Sequence, residues 1–229
     1  MSLEPIPNVQ LPLFVYGEPA AEDMAELLPV VWNATQALIS PDGDTRQRGL
    51  DAVLELGAQR ASPLVAYLIT TCLCDPDLHI RRRAIYIVAD LTMVEPGGMP
   101  AHEEIRKVII SYLQNATEKI IYKLLEVALV DPYSEQSIFQ ILNLCPLAGK
   151  YLGEILADGK NPLPVRHKAI HFVGWVGYIE ALPILKRLLD RMETRQSQQY
   201  AMSFASQIHQ PDDGIMAALR IAINRLTAG

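Results

Sequence analysis

One internal repeat constrains this chain more than any other feature. Three segments align without gaps when their arginine is placed first: Arg46–Gly57, Arg81–Thr92 and Arg166–Gly177. Three positions after the arginine stands a small residue (Gly49, Ala84, Ala169), and at four an aliphatic one (Leu50, Ile85, Ile170). At seven each has valine (Val53, Val88, Val173), at eight Leu54, Ala89 and Gly174, and at ten Leu56, Leu91 and Val176. Residues at 3, 4, 7 and 8 share one face of a helix, and small side chains there allow close helix contact. The match runs on into a second helix. Six residues after Gly57 and Gly177 come Pro63 and Pro183, each suited to a first helical turn where its missing N–H is not needed. Leu64, Val65, Leu68 and Ile69 then correspond to Ile184, Leu185, Leu188 and Leu189. The unit is a helix, a tight turn and a second helix. Repetition at this period signals a stacked architecture.

The rest of the chain agrees. Breakers fall at Pro41-Asp-Gly43, Asp75-Pro76, Glu95-Pro-Gly-Gly98, Asp131-Pro132, Cys145-Pro146, Asn161-Pro162 and Pro211-Asp-Asp-Gly214. The stretches between them have ordinary helix lengths, and no alternating strand pattern or hairpin turn signal stands out. A weaker copy without the arginine begins near Ile120 (Lys123, Leu124, Val127, Ala128, Val130), and a degenerate final pair is expected over 198–226. The polar stretch Glu193–Tyr200 reads as a solvated helix start or a loop. From Ala20, the residues Met24, Leu27, Leu28, Val31, Trp32 and Leu38 follow a helical period, with Glu22, Asp23 and Glu26 near the start, where the helix dipole favours acids. Residues 1–19 carry Pro5, Pro7, Pro12 and Pro19, which prevent a regular helix, beside the apolar Leu11, Leu13, Phe14, Val15 and Tyr16. They read as an extended segment that packs on its own body or on a second copy. The expected layout is therefore an extended segment 1–19 and one helical domain 20–229, with 20–40 as a capping helix.

The repeat resembles HEAT repeats, particularly the short HEAT-like type of phycobilisome-lyase-like proteins. The residues that carry the resemblance are Asp75-Pro76, Ile80-Arg81, Ala84-Ile85, Pro164-Val165-Arg166, Ala169-Ile170, Val173-Gly174, Val176-Gly177, Ala181-Leu182-Pro183-Ile184-Leu185 and Leu188-Leu189. It implies an all-α fold, a right-handed α-solenoid of about five helical hairpins, each touching only its neighbours. It also implies that the repeated arginines pair with an acid near the turn of an adjacent unit, with Asp44, Asp75 and Asp77 as possible acceptors. In this family the second helices commonly line the concave face. That places Tyr67, Thr71, Lys107, Ser111, Gln114, Lys186, Arg187 and Asp190 as candidate contacts for a protein or peptide partner.

Other chemistry is weakly signalled. His167 and His171 stand four apart on a helix but lack a third ligand, and the single His102-Glu103 pair cannot build the symmetric di-iron site of the HEAT-like deoxyhypusine hydroxylases. No nucleophile elbow, phosphate loop, dinucleotide fingerprint or CxxC pair is present. The reading therefore assigns no catalytic residue, cofactor or metal. Arg46, Arg48, Arg60, Arg81, Arg82, Arg83, Arg166 and Lys168 could form a basic stripe of the kind that HEAT-like alkylpurine DNA glycosylases lay on DNA. Charge weighs against it. The net charge is -6, and residues 1–45 hold seven acids and no base, which leaves a body close to neutral. Trp175 and Tyr178 read as helix-packing aromatics before a partner hot spot. Three cysteines (Cys72, Cys74, Cys145) are too few for a disulfide framework and read as reduced thiols. No apolar run is long enough to span a membrane, and the proline-broken N-terminus does not read as a secretory signal. A cytoplasmic, non-enzymatic scaffold or protein-binding module is the expectation, with a homo-oligomer through residues 1–19 as one assembly route. The family resemblance adds a second reading, a lyase or chaperone of the phycobilin-attachment type, and DNA binding is the third.

Overall fold

A computed structural model of the protein describes residues 21–93, 101–201 and 212–228, and side chains over 28–93, 101–197 and 214–228. The extended segment 1–19, the Gly97-Gly98 turn and Pro211 lie outside the described residues. Every regular element that is described is helical, so the fold is all-α. The helices are α1 (Ala21–Leu38), α2 (Gly43–Glu55), α3 (Ala58–Ala61), α4 (Pro63–Thr71), α5 (Leu78–Thr92), α6 (Glu103–Gln114), α7 (Glu118–Val130), α8 (Glu135–Asn143), α9 (Ala148–Ala157), α10 (Leu163–Val176), α11 (Leu182–Ala201) and α12 (Asp212–Ala228). Single 3₁₀ turns occupy Cys72–Cys74, Pro132–Ser134 and Ile179–Ala181. The chain groups into two compact units, Met1–Tyr112 and Leu113–Gly229.

In the first unit α2 packs on α1 and α5, and α4 packs on α1 and α5. In the second, α10 is the central helix, flanked by α7, α8, α9 and α12, while α11 packs on α9 and α12. The aligned positions explain both cores. Leu50, Ile85 and Ile170 are fully buried, as are Val53, Val88 and Val173. At the small position Ala84 and Ala169 are fully buried. Gly49 has no spare room: a Cβ there would stand 2.8 Å from Ala37 Cβ and 2.9 Å from the Ala34 carbonyl oxygen. Gly174 does the same between α10 and α12, where a Cβ would meet Ala222 Cα at 2.8 Å. Gly57 and Gly177 end their helices in the left-handed region, at φ 65° and 86°, where a side chain is strained. Pro63 begins α4, whose N-cap Ser62 accepts a hydrogen bond from the Val65 N–H, and Pro183 lies in the first turn of α11.

Two details of burial add to the sequence reading, and the loop alternative for one polar stretch is replaced by helix. The buried face of α1 is Val31, Ala34, Thr35 and Leu38, whereas Leu28 and Trp32 are exposed. The apolar spacing fits one helical stripe, but α2 approaches from the side where small Ala34 and Ala37 allow contact with Gly49, turning the larger Trp32 outward. Leu56 leaves the buried pattern because it stands at the left-handed turn that ends α2. The polar stretch from Glu193 is the interior of α11, not a loop.

Candidate functional site

Two charged clusters decide what the conserved-looking spacing of the repeat is for. The first lies in unit one and is closed. Asp42 and Asp77 cap α2 and α5, accepting from the Thr45 and His79 N–H groups. Four residues on from each cap stands the repeat arginine. Arg46 donates from Nη1 to the Ser40 and Pro41 carbonyls at 3.0 and 2.9 Å. Arg81 donates from Nη1 to the Asp75 and Pro76 carbonyls at 2.6 and 3.0 Å. The two side chains thus hold the same pair of carbonyls, six and five residues back, in the turn preceding their own helix. Arg46 also grips the Asp75 carboxylate with Nε and Nη2 at 2.7 and 2.9 Å, and Asp75 Oδ1 accepts the Asp77 N–H. All three charged side chains are buried. Of the three acceptors expected, Asp75 is the one used. Arg166 follows a variant of this scheme, donating from Nε to the Leu156 carbonyl at 2.9 Å. A charge that is buried and bidentate is committed to structure.

The remaining basic residues of the expected stripe are also engaged. Arg60 pairs with Asp90, Arg83 with Asp51 and Lys168 with Glu135. Arg48 donates to the Asp44 carbonyl and Thr45, and Arg82 meets His79.

The second cluster lies in unit two and is open. A shallow cleft of about 330 Å³ is lined by Glu135 of α8, His171, Gly174 and Trp175 of α10, and Arg225 of α12. The Gly174–Ala222 contact draws α12 onto α10 and brings Arg225, almost one turn beyond Ala222, to the rim. An aromatic wall backs the cleft. The Trp175 ring lies 4.9 Å from Phe139, 5.3 Å from His171 and 5.9 Å from Phe172, stacked on the last at 16°. Glu135 pairs with Lys168, and its other oxygen faces His171 Nε2 at 3.4 Å, outside hydrogen-bonding geometry. Burial pushes the His171 imidazole below its ordinary value; Glu135 opposes this, and Lys168, Arg225 and His167 add to it. The imidazole is therefore neutral near pH 7. Arg225 is exposed and forms no ion pair among the described residues.

The histidine pair of the sequence separates: His167 is exposed, and His171 turns its Nε2 inward. Among the described residues no three His, Cys, Asp or Glu side chains gather to hold a metal. Tyr178 packs as expected, its ring over Gly149 and its hydroxyl donating to the Leu142 carbonyl at 2.7 Å. Cys72 and Cys145 are buried, and burial pushes both thiols up to about 12.

The eight partner-contact candidates are distributed over three helices. Tyr67 on α4 is half-buried, with its ring edge-on to Tyr112 of α6 at 5.8 Å. Thr71 donates to the Leu68 carbonyl. Lys107 pairs with Glu103 and Glu104 on its own helix, and Ser111 is exposed beside it. Gln114 at the end of α6 is exposed, and Lys186, Arg187 and Asp190 share the exposed side of α11. A surface that the sequence reading missed is the outward face of α1. Leu28 and Trp32 are 39% and 53% exposed along one stripe, and Ile39, in the turn just past the helix, is 61% exposed. Comparison with known protein families finds no family model that matches, and comparison with curated proteins finds no match.

Proposed function

We propose that this chain is a non-enzymatic binding module of the HEAT-like α-solenoid kind, which takes a protein or peptide partner on its helical surface. The observation that carries the reading is the outward face of α1. Its opposite side packs on α2 and α4, yet Leu28 and Trp32 stand in solvent, with Ile39 exposed just past the helix. Tryptophan supplies large, rigid contact area at low entropic cost and dominates many binding hot spots. The exposed polar side of α11, with Lys186, Arg187 and Asp190, and the Tyr67, Thr71, Lys107, Ser111 and Gln114 side chains are the other contact candidates of this reading. The repeated arginine clasp supports the repeat architecture, because two helices use one device at one spacing. The DNA-binding reading gains no comparable support, because basic residues it needs are already paired, and the phycobilin-lyase reading names no residues of this chain that could support it.

The test is site-specific photocrosslinking in the source cell. A benzoylphenylalanine at position 32 in the full chain is expected to trap a distinct protein, and the same probe at the buried position 53 is not. Crosslinks confined to residues 1–19 of the same chain, or none at all, overturn the reading.

A further inference from the structure

We propose that the α8–α10–α12 cleft of the second unit is a site for the acidic side chain of a peptide, with Arg225 as its ion partner and Trp175 as its apolar floor. This deepens the binding-module reading and rests on it, although it concerns a different surface. The argument begins with charge. Glu135 and Lys168 neutralise one another at the cleft's inner edge. His171 is held neutral by its burial. Arg225 remains as the one formal charge on the rim without a paired carboxylate among the described residues. A guanidinium presents a planar fork that matches a carboxylate.

Shape and wall chemistry narrow the class further. A space of about 330 Å³ accommodates one or two side chains, at the lower end of ligand-site volumes. Trp175, stacked on Phe172 and beside Phe139, offers an aromatic face to an apolar neighbour of the acid. A phosphate group fits poorly. It carries close to two negative charges, and the single guanidinium without a paired carboxylate cannot balance both. An acidic residue two positions from an aromatic one in an extended peptide puts both side chains on one face and meets every requirement. The acid pairs with Arg225, and the aromatic ring lies on Trp175.

The probe is the peptide acetyl-Phe-Gly-Glu-Gly amide, titrated into the full chain and followed through the indole N–H signal of Trp175 by proton–nitrogen NMR. Its control is the same peptide with Gln in place of Glu. The Glu peptide is expected to bind about tenfold more tightly, the effect of one charge-assisted hydrogen-bonded pair. Arg225→Gln is expected to abolish that preference and leave the melting temperature unchanged, since Arg225 is exposed. Glu135→Gln is expected to strengthen binding severalfold, because it leaves the Lys168 charge beside the cleft without its carboxylate. Equal affinity for the two peptides, a preference that survives Arg225→Gln, or weaker binding by Glu135→Gln each overturns the assignment. Failure here leaves crosslinking at position 32 unaffected, so the two readings fail separately.

Discussion

Asp75 and Glu135 are each an acidic residue held by basic side chains, Asp75 through its carboxylate by Arg46 and through its carbonyl by Arg81, and the two sites do opposite things. Asp75 sits between Arg46 and Arg81, with both oxygens occupied and all three residues buried. Glu135 sits between Lys168 and His171, at the edge of a cleft that opens to solvent beside Arg225. The inventory of residue types is nearly the same. Saturation of the donors separates the two: a site whose donors are spent on carbonyls and one carboxylate is a structural clasp, and a site with a cation left over beside an aromatic wall can receive a ligand. Composition cannot make that distinction, and neither can spacing.

The comparison can be broken first at Asp75. Asp75→Ala strands the Arg46 guanidinium in a buried position, and losing one partner of such a pair costs about 3 kcal/mol. Urea unfolding of the first unit should register this as a lower midpoint, and a loss below about 1 kcal/mol would show that the clasp is replaceable. A smaller effect is expected at the close helix approaches that shape each site. Gly49→Ala drives a methyl group into the Ala34 carbonyl, and Gly174→Ala drives one into Ala222. Each should cost about 2 kcal/mol, since backbone atoms on the far side cannot move aside cheaply. Gly174→Ala should also shift the Trp175 indole signal, because α12 and Arg225 move with Ala222. The smallest effect concerns pH. His171 is flanked by Glu135, Lys168, Arg225 and His167, and its folded value lies below 6.5. The unfolded chain therefore binds the proton first. The stability this gives is complete above pH 6.5 and is lost as the pH falls through the lower folded value. Thermal melts between about pH 7.5 and 5 should show the decline, and His171→Gln should flatten it; a decline unchanged in that variant would place the effect elsewhere.

Much of the clasp could be read from the sequence. The aligned arginines, the small residue three positions on and the glycines at the end of two repeats are local signals, and each has a local cause in the fold. The acceptor was narrowed to three acids, and geometry selects Asp75. A Pro-Asp pair just before Arg46 and Arg81 was a further signal, since it supplies both the cap and the turn carbonyls that the arginine holds. The cleft was mostly invisible. Trp175 follows His171 at the same spacing as His171 follows His167, which hints at a shared face. Glu135 and Lys168 are 33 residues apart, and Arg225 belongs to the last helix, so only packing through Gly174 and Ala222 could unite them. The covered face of α1 is not legible for a related reason: periodicity fixes which residues align along a helix, while the partner helix decides which stripe is covered.

The Arg46–Asp75 pair also bears on how this chain can change in length. It joins residues 29 apart, and everything between them, including the rest of α2, α3 and α4, is enclosed in the loop it closes. An insertion within that span must still return Asp75 to the same guanidinium, with its turn carbonyls facing Arg81. An insertion outside it carries no such condition. Length variants of this protein should therefore be rejected between α2 and α4, even where the inserted residues would be fully solvated.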